Sequence, residues 1–354
     1  MYIDTHVHLR DFNQTYKETI KHGLEVAYDS GVDAVFDMPN TDPPIMTREL
    51  VEARIKLAKD ADVPVFYGIH MGLTAKPEQI RRAADVYRAF PQVIGMKLYA
   101  GHSTGDLGVV TRCDQRVVYE TLSSEGYDGV LMVHCEKESA MNRKLWIPSR
   151  PTTHCHARPE RAEVESVHDQ IKLARESGFT GKLHIAHISS PDAVYAVDVA
   201  KAMGLDISCG VCPHHLIYDL SQMFHEDGVL WKMNPPLRKI SSRDKLLQCL
   251  KDGKINWIET DHAPHALAEK TGKVSDANGK PSYASGIPGL AWWPLFDEYL
   301  RKQNFSDSQI EALTFNNALD RFGLDIKRTR RPLKDRRVDY PFDPYASMAA
   351  ELGF

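Results

Sequence analysis

The chain has 354 residues, of which 42% are hydrophobic, so it can bury the core of one large domain or two small ones. Its formal net charge of -4 gives no indication of nucleic acid as a partner, and no apolar run approaches the roughly 20 residues that cross a membrane. Six cysteines are too few for a disulfide framework, and the N-terminus has no basic segment followed by an apolar core, so we expect a cytoplasmic protein without a signal peptide.

Short apolar runs alternate with amphipathic stretches along the chain, which predicts alternating strands and helices. Eight such alternations predict an α/β protein with a parallel (β/α)8 TIM barrel. A doubly wound sheet is the competing fold, but it usually has a glycine-rich turn after its first strand, where this chain has His6-Val-His8. The predicted strands are Tyr2–His8, Asp33–Met38, Val63–His70, Val93–Tyr99, Gly129–His134, Lys182–Ile188, Asp206–Val211 and Asn256–Thr260, and the predicted helices are Tyr16–Ser30, Thr47–Ala61, Pro77–Phe90, Pro159–Gly178 and Pro191–Met203.

His6 and His8 end the first predicted strand. Because alternate residues of a strand face the same side, the two imidazoles can hold one metal ion, and Arg10 follows close enough to face the same space. Two ordinary strand histidines would give the same pattern, so the pair needs further ligands elsewhere in the chain.

The active site of a β/α barrel lies at the C-terminal ends of its strands. Six of the predicted strands end in residues that can ligate a metal ion or contact a polar substrate. A single polar residue at such a strand end can instead serve only to hydrogen-bond the backbone of the barrel rim. These segments are His6-Val-His8, Met38-Pro-Asn-Thr41, Gly95-Met-Lys-Leu-Tyr99, Val133-His-Cys-Glu136, His184-Ile-Ala-His-Ile-Ser189 and Glu259-Thr-Asp-His-Ala-Pro-His265.

Lys97 is the candidate bridge between two metal ions. Four histidines and one aspartate could fill two sites, but they leave no bridging ligand. A protonated lysine would be repelled by two divalent cations, whereas a neutral amine can add carbon dioxide to form a carbamate with two oxygens. A substrate-facing cation or a salt bridge at the barrel rim is the alternative role for this lysine.

With these segments the chain resembles the cyclic amidohydrolases, and among them the dihydroorotases. The resemblance runs from about Tyr2 to about Phe322. Several motifs are shared across the superfamily, but together they are specific. Beyond the strand ends, the matching motifs are Cys212-Pro-His-His215, Asn234-Pro-Pro-Leu-Arg238 and Ser285-Gly-Ile-Pro-Gly289.

The resemblance implies two Zn²⁺ ions per subunit, bridged by a carboxylated Lys97 and a hydroxide. It implies that Asp261 is the catalytic residue, which accepts the hydroxide proton and delivers it to the departing amide nitrogen. The reaction would be the reversible closure of N-carbamoyl-L-aspartate to L-dihydroorotate in pyrimidine biosynthesis. The implied metal ligands are His6, His8 and Asp261 at the first zinc, His134 and His187 at the second, and Lys97 at both.

Substrate choice is implied by five further residues. Arg10, Asn40 and His265 resemble the residues that bind the carboxylate of dihydroorotate, while Asn234 and the backbone near Gly286 would contact the ring amides. Hydantoinases lack the arginine after His-x-His, and allantoinases usually lack the last histidine of the eighth strand end. The alternative activity is that of an allantoinase or a hydantoinase. The alternative role for His265 is that of a loop residue that faces solvent.

Many relatives add a small β-sandwich built from both ends of the chain. Here His-x-His begins at residue 6, and Pro332–Phe354 lacks the usual glycine-rich strands. We therefore expect a barrel over residues 1–325 without the sandwich, and a C-terminal extension over residues 326–354. The partners that the resemblance allows are a second copy of the chain and aspartate carbamoyltransferase, which a non-catalytic relative could scaffold. We expect no membrane or nucleic-acid partner.

Three other segments receive weaker interpretations. Lys327–Arg337 is strongly basic, which favours a solvated surface segment over a docking site for an acidic partner. His265–Ser285 is polar and glycine-rich, which predicts a mobile loop over the barrel mouth. Cys209-Gly-Val-Cys212 followed by two histidines has metal-ligand spacing, but we favour buried cysteines and rim histidines without a structural zinc.

Overall fold

The computed structural model describes residues 1–103, 107–275 and 279–354. Thr104, a candidate for a substrate loop after the predicted strand that carries Lys97, lies outside these residues, as does part of the predicted loop His265–Ser285. Eight parallel strands form one sheet in chain order, which confirms the predicted (β/α)8 barrel. The strands are β1 Tyr2–Val7, β2 Val32–Asp37, β3 Phe66–Gly72, β4 Val93–Tyr99, β5 Val130–His134, β6 Lys182–Ile185, β7 Ile207–Val211 and β8 Trp257–Ile258.

The barrel closes between its first strand and the segment after its last. Val7 pairs with His262 as a parallel bridge, and the backbone N–H of His8 donates to the carbonyl of His262 at 2.8 Å. His262 also pairs with Ile287. The closure therefore brings the His-x-His pair of β1 to the residues that follow β8.

Helices pack around the strands. The first begins at Ile20 and not at the predicted Tyr16, because the side chain of Thr19 caps it by accepting the N–H of His22 at 3.1 Å. The helices are α1 Ile20–Asp29, α2 Arg48–Ala61, α3 Pro77–Ala89, α4 Arg112–Ser124, α5 Thr153–Ala157, α6 Glu160–Glu176, α7 Pro191–Ala202, α8 Pro213–Ile217, α9 Ile240–Lys251, α10 Leu267–Lys270, α11 Trp293–Lys302, α12 Asp307–Glu311, α13 Asn317–Phe322 and α14 Ala346–Leu352. Within the described residues, no helix is long and apolar enough to cross a bilayer.

Two strands end at least two residues before their predicted ends. β6 ends at Ile185 and β8 at Ile258, so His187 and Asp261 lie just beyond their strands. Both residues have left-handed backbone conformations, with φ of 40° for His187 and 49° for Asp261. This conformation is uncommon for residues other than glycine and is often found at functional sites. These left-handed residues turn the chain out of the sheet at two candidate ligands.

Apolar side chains from four of the strands fill part of the barrel interior. Ile3, Phe36, Ile94 and Trp257 form one buried cluster. The ring of Phe322, at the end of α13, packs edge-on against Phe36 with centroids 4.7 Å apart. Because this interior is filled with side chains, the polar strand ends have a rigid support.

Most residues of the basic segment after α13 are exposed, as predicted, but two of its arginines pair with acidic side chains of the barrel. The side chain of Arg331 is 5% exposed and lies 2.6 Å from Asp33, while it also donates to the carbonyls of Tyr28 and Val32. Arg336 contacts Asp29 at 2.8 Å. The prediction of a solvated segment is therefore wrong for Arg331, because local charge density does not show that acidic side chains of the barrel face this segment.

Candidate active site

His6, His8 and Asp261 form one group of candidate metal ligands. The Oδ1 atom of Asp261 lies 2.9 Å from His8 Nε2 and 3.3 Å from His6 Nε2, and one ligand atom from each residue lies within 4.8 Å of the others. Burial lowers the pKa of His6 to about 4, so its imidazole is neutral near neutral pH. Two neutral imidazoles and a carboxylate fit a zinc ion.

His134 and His187 form a second group beside the first. The Nδ1 atom of His134 lies 3.0 Å from Nε2 of His187, and the rings of His6 and His187 are 5.1 Å apart between centroids. The other nitrogen of His134 faces a carboxylate oxygen of Glu136 at 3.0 Å. A proton on that nitrogen leaves the Nδ1 lone pair directed toward His187, which suits metal binding.

Lys97 lies on β4 and is fully buried. Its Nζ atom has no hydrogen-bond partner among the residues that the structure describes, and it lies 5.2 Å from the centre of the Tyr99 ring. Burial lowers the pKa of Lys97 to about 8, and burial together with the charge of Lys97 lowers the pKa values of the four candidate histidine ligands. A buried amine without a partner, next to both ligand groups, fits the carbamate bridge that the resemblance implies.

Glu136 supports the second group, a role that the sequence analysis missed. Besides facing His134, its carboxylate accepts from Nε of Arg158 at 3.0 Å on both oxygens. Burial alone would raise the pKa of Glu136, but Arg158 and His134 hold it well below its usual range. Carboxylates behind metal-ligating histidines fix their orientation. The spacing of His134 and Glu136, two apart after one strand, was the signal available in the sequence.

Glu259 contacts residues of both ligand groups, a role that the sequence did not predict. It accepts hydrogen bonds from Thr5 Oγ1 at 2.9 Å and from the backbone N–H of His187 at 2.5 Å. One of its oxygens lies 3.8 Å from His6 Nδ1. This buried carboxylate thereby joins β1, β8 and the segment after β6. It lies two residues before Asp261, just beyond the end of β8.

His262 follows Asp261, and its side chain joins three separate segments of the chain. Its Nε2 faces Glu18 Oε2 at 2.5 Å, while its Nδ1 accepts from the backbone N–H groups of Gly289 at 3.0 Å and Leu290 at 3.1 Å. Glu18 is buried and also lies 3.2 Å from the hydroxyl of Tyr340. Glu18 also pairs with His22, which lies four residues later in α1, but no local signal in the sequence marks its link to His262 and Tyr340, which are distant along the chain.

The two ligand groups line one shared cavity at the mouth of the barrel. Its wall includes Arg10, Asn40, Asn234 and Gly286, four of the five predicted substrate contacts. The fifth, His265, lies behind the guanidinium, with Nε2 at 3.1 Å from Arg10 Nη2. The structure therefore brings the predicted metal ligands and substrate residues to one place.

Gly286 forms part of the cavity wall and requires glycine. Its φ is 136°, and a Cβ atom there would lie 2.6 Å from the Cβ of Ala263. Lys270 holds this loop from behind, because its buried ammonium donates to the carbonyls of Gly286 at 2.6 Å and Ala284 at 3.3 Å. Sequence reasoning did not identify Lys270.

Asn234 is positioned by a second loop. Its Oδ1 lies 3.1 Å from His154 Nε2, and its Nδ2 donates to Ser103 Oγ at 3.4 Å. His154 is buried in α5 and also contacts the carbonyl of Met233 at 2.9 Å. The side-chain amide of Asn234 is therefore held at both ends beside the cavity.

Comparison with known proteins decides the family. A dihydroorotase of Halobacterium salinarum is 32% identical over 326 residues, which is 92% of this chain and 72% of that protein. The chain belongs to the cyclic amidohydrolases. A further relative is a dihydroorotase of Lactobacillus acidophilus, which is 29% identical over 95% of this chain and 76% of that protein. An allantoinase of Salmonella newport is also 29% identical, over 94% of this chain and 73% of that protein. No family model matches the chain.

Solved amidohydrolase structures share the fold. The L-hydantoinase (dihydropyrimidinase) of Arthrobacter aurescens superimposes with a TM-score of 0.80, covering 95% of this chain and 74% of that chain at 21% identity. The dihydropyrimidinase of Brevibacillus agri gives a TM-score of 0.75 at 20% identity, over 91% of this chain and 70% of that chain. Membership of this family makes the protein a hydrolase that acts on cyclic amides.

Proposed function

We propose that the protein is a dihydroorotase, which interconverts N-carbamoyl-L-aspartate and L-dihydroorotate in pyrimidine biosynthesis. The observation that carries this proposal is the buried guanidinium of Arg10 in the cavity wall. Arg10 is 1% exposed, and its Nε has no hydrogen-bond partner in the described part of the chain. A guanidinium with open donors matches a carboxylate, which dihydroorotate carries and hydantoins generally do not.

The donor set fits two zinc ions. His6, His8 and Asp261 would hold one ion, and His134 and His187 the other, with a carboxylated Lys97 as a ligand to both. This assignment is supported by the orphaned buried amine of Lys97 and by the neutral imidazoles around it. When bound, the ions would make water nucleophilic near neutral pH and polarise the ring carbonyl.

The residues around the ions divide the remaining work. Asp261 accepts the proton of the attacking water and delivers it to the departing amide nitrogen, and the reverse transfer accompanies ring closure. Arg10, with Asn40 and His265, binds the substrate carboxylate. Asn234 and the backbone at Gly286 orient the ring amide groups, so the scissile bond is held toward the metal ligands.

A steady-state comparison of L-dihydroorotate, allantoin and hydantoin on enzyme of known zinc content tests the proposal. We expect kcat/KM to be highest for dihydroorotate, with ring closure of N-carbamoyl-L-aspartate by the same enzyme. A higher kcat/KM for allantoin or hydantoin would assign the protein to the relatives of those names. Background rates on all three substrates at full zinc occupancy would instead favour a non-catalytic partner of aspartate carbamoyltransferase.

A further inference from the structure

A second cluster of ligand-type side chains lies at the end of β7, and none of its three residues lines the cavity of the candidate active site. Cys212, His214 and His215 each place one sulfur or nitrogen atom within 4.8 Å of the others. Their exposed fractions are 0%, 1% and 3%, so the three side chains share a space that solvent does not reach.

Two imidazole nitrogens in this cluster lack partners among the described residues. The Nε2 atom of His215 donates to the carbonyl of Pro235 at 3.1 Å, which leaves its Nδ1 with a free lone pair. The Nε2 atom of His214 is also without a partner, while its Nδ1 lies 3.5 Å from the hydroxyl of Tyr345. Buried polar atoms without partners are costly, and metal-ligating histidines usually donate their other N–H to a carbonyl, as His215 does.

We propose that Cys212, His214 and His215 bind one further metal ion of the zinc class. A thiolate with two imidazoles is a ligand set that zinc prefers, and it leaves one position for a fourth ligand. Cys209 is not part of the site, since its sulfur faces the carbonyl of Lys254 at 3.7 Å. The sequence favoured no metal here because buried cysteines and rim histidines are common at the end of a barrel strand.

The proposed ion would have a structural role. His215 connects the end of β7 to Pro235, the residue after Asn234 in the cavity wall, and His214 contacts the buried Tyr345 near the C-terminus. A metal at this junction ties three separate segments together. The proposal does not depend on which cyclic amide the enzyme hydrolyses.

Cobalt substitution of the full-length protein tests the site. The proposed active-site ligands are nitrogen and oxygen atoms, so only the Cys212 site supplies a thiolate to Co²⁺. We expect the cobalt-loaded protein to show a near-ultraviolet thiolate-to-cobalt charge-transfer band, and the zinc-loaded protein to contain one metal equivalent more than the two proposed for catalysis. A cobalt-loaded wild-type protein without this band would overturn the site whether or not the enzyme is active.

Two substitutions sharpen the result. Cys212→Ser should lose the band and one metal equivalent, whereas the matched control Cys209→Ser on the same strand should keep both. His215→Gln should lose the same equivalent, which provides a second variant if Cys212→Ser does not fold. A band that survives Cys212→Ser, or disappears in Cys209→Ser, contradicts the assignment. Loss of turnover while the band persists counts against the proposed dihydroorotase activity and not against this site.

Discussion

Nη2 of Arg10 lies 3.1 Å from Nε2 of His265, although the two residues are 255 positions apart. A guanidinium only donates, so a hydrogen bond from Arg10 requires Nε2 of His265 to accept, whereas the carbonyl of Ser285, 3.1 Å from the same nitrogen, would require it to donate. Burial, together with the charge of Arg10, lowers the pKa of His265 well below its usual range. The neutral ring therefore orients Arg10 without neutralising it, which leaves the positive charge available for a substrate carboxylate.

Arg10→Met should raise KM strongly for dihydroorotate. A hydrogen bond to a charged group contributes about 1.5–3 kcal/mol, so losing it should lower kcat/KM by about 10- to 100-fold. Hydantoin kinetics on the same enzyme provide the control, because that ring lacks the carboxylate. Equal losses for both substrates would contradict the carboxylate assignment.

Lys97→Ala should lose most activity and part of the bound zinc, because a buried bridging ligand disappears. Short carboxylic acids added to the assay should restore part of the rate, since their two oxygens can replace those of a carbamate. Zinc content and turnover should be measured on the same preparation. A variant with full zinc and the full rate would show that the lysine does not bridge.

Glu136→Gln should weaken metal binding through His134. Loss of a carboxylate behind a ligating histidine typically lowers metal affinity by about 10- to 100-fold. Competition with a zinc chelator measures this change directly. Glu138→Gln is the matched control, because Glu138 lies two residues away and pairs with His102 at 3.0 Å and Arg143 at 3.0 Å. Similar affinities for the two variants would remove Glu136 from this role.

Glu18 should make the fold sensitive to acid. Burial alone would raise the pKa of Glu18, but His262 and His22 outweigh burial and lower it to about 2. A lowered pKa means that the stabilisation is complete above the unfolded value near 4.5 and is lost as the pH falls toward 2. The full effect is about 3 kcal/mol in the free energy of unfolding.

Urea unfolding between pH 5 and pH 2 measures this dependence. Glu18→Gln should be less stable than wild type at pH 5 and should lose less stability on acidification. Glu52→Gln, an exposed carboxylate in a surface pair with Arg48, should keep the wild-type slope. Parallel curves for Glu18→Gln and wild type would show that the carboxylate does not carry the acid dependence.

The amino-acid sequence by itself determined the barrel and the location of its polar strand ends. Alternating patterns identify strands and helices locally, and a spacing of two residues places His6 and His8 on one side of β1. Parallel strands of a barrel then carry their C-terminal ends to one mouth, so Lys97, His134 and Asp261 could be grouped without coordinates. These inferences depend on repeats and spacings that a local stretch of chain contains.

Only the tertiary structure decided which buried groups pair behind those ligands. Glu18 contacts His262, which is 244 positions away along the chain, and Arg331 of the basic segment pairs with Asp33. Such contacts depend on where loops cross the barrel, which no local pattern encodes. The same reason applies to the cluster after β7. Cys209 and Cys212 both have ligand-like spacing to the two histidines in the sequence, and only the tertiary structure shows that Cys212 is the one close to the imidazoles.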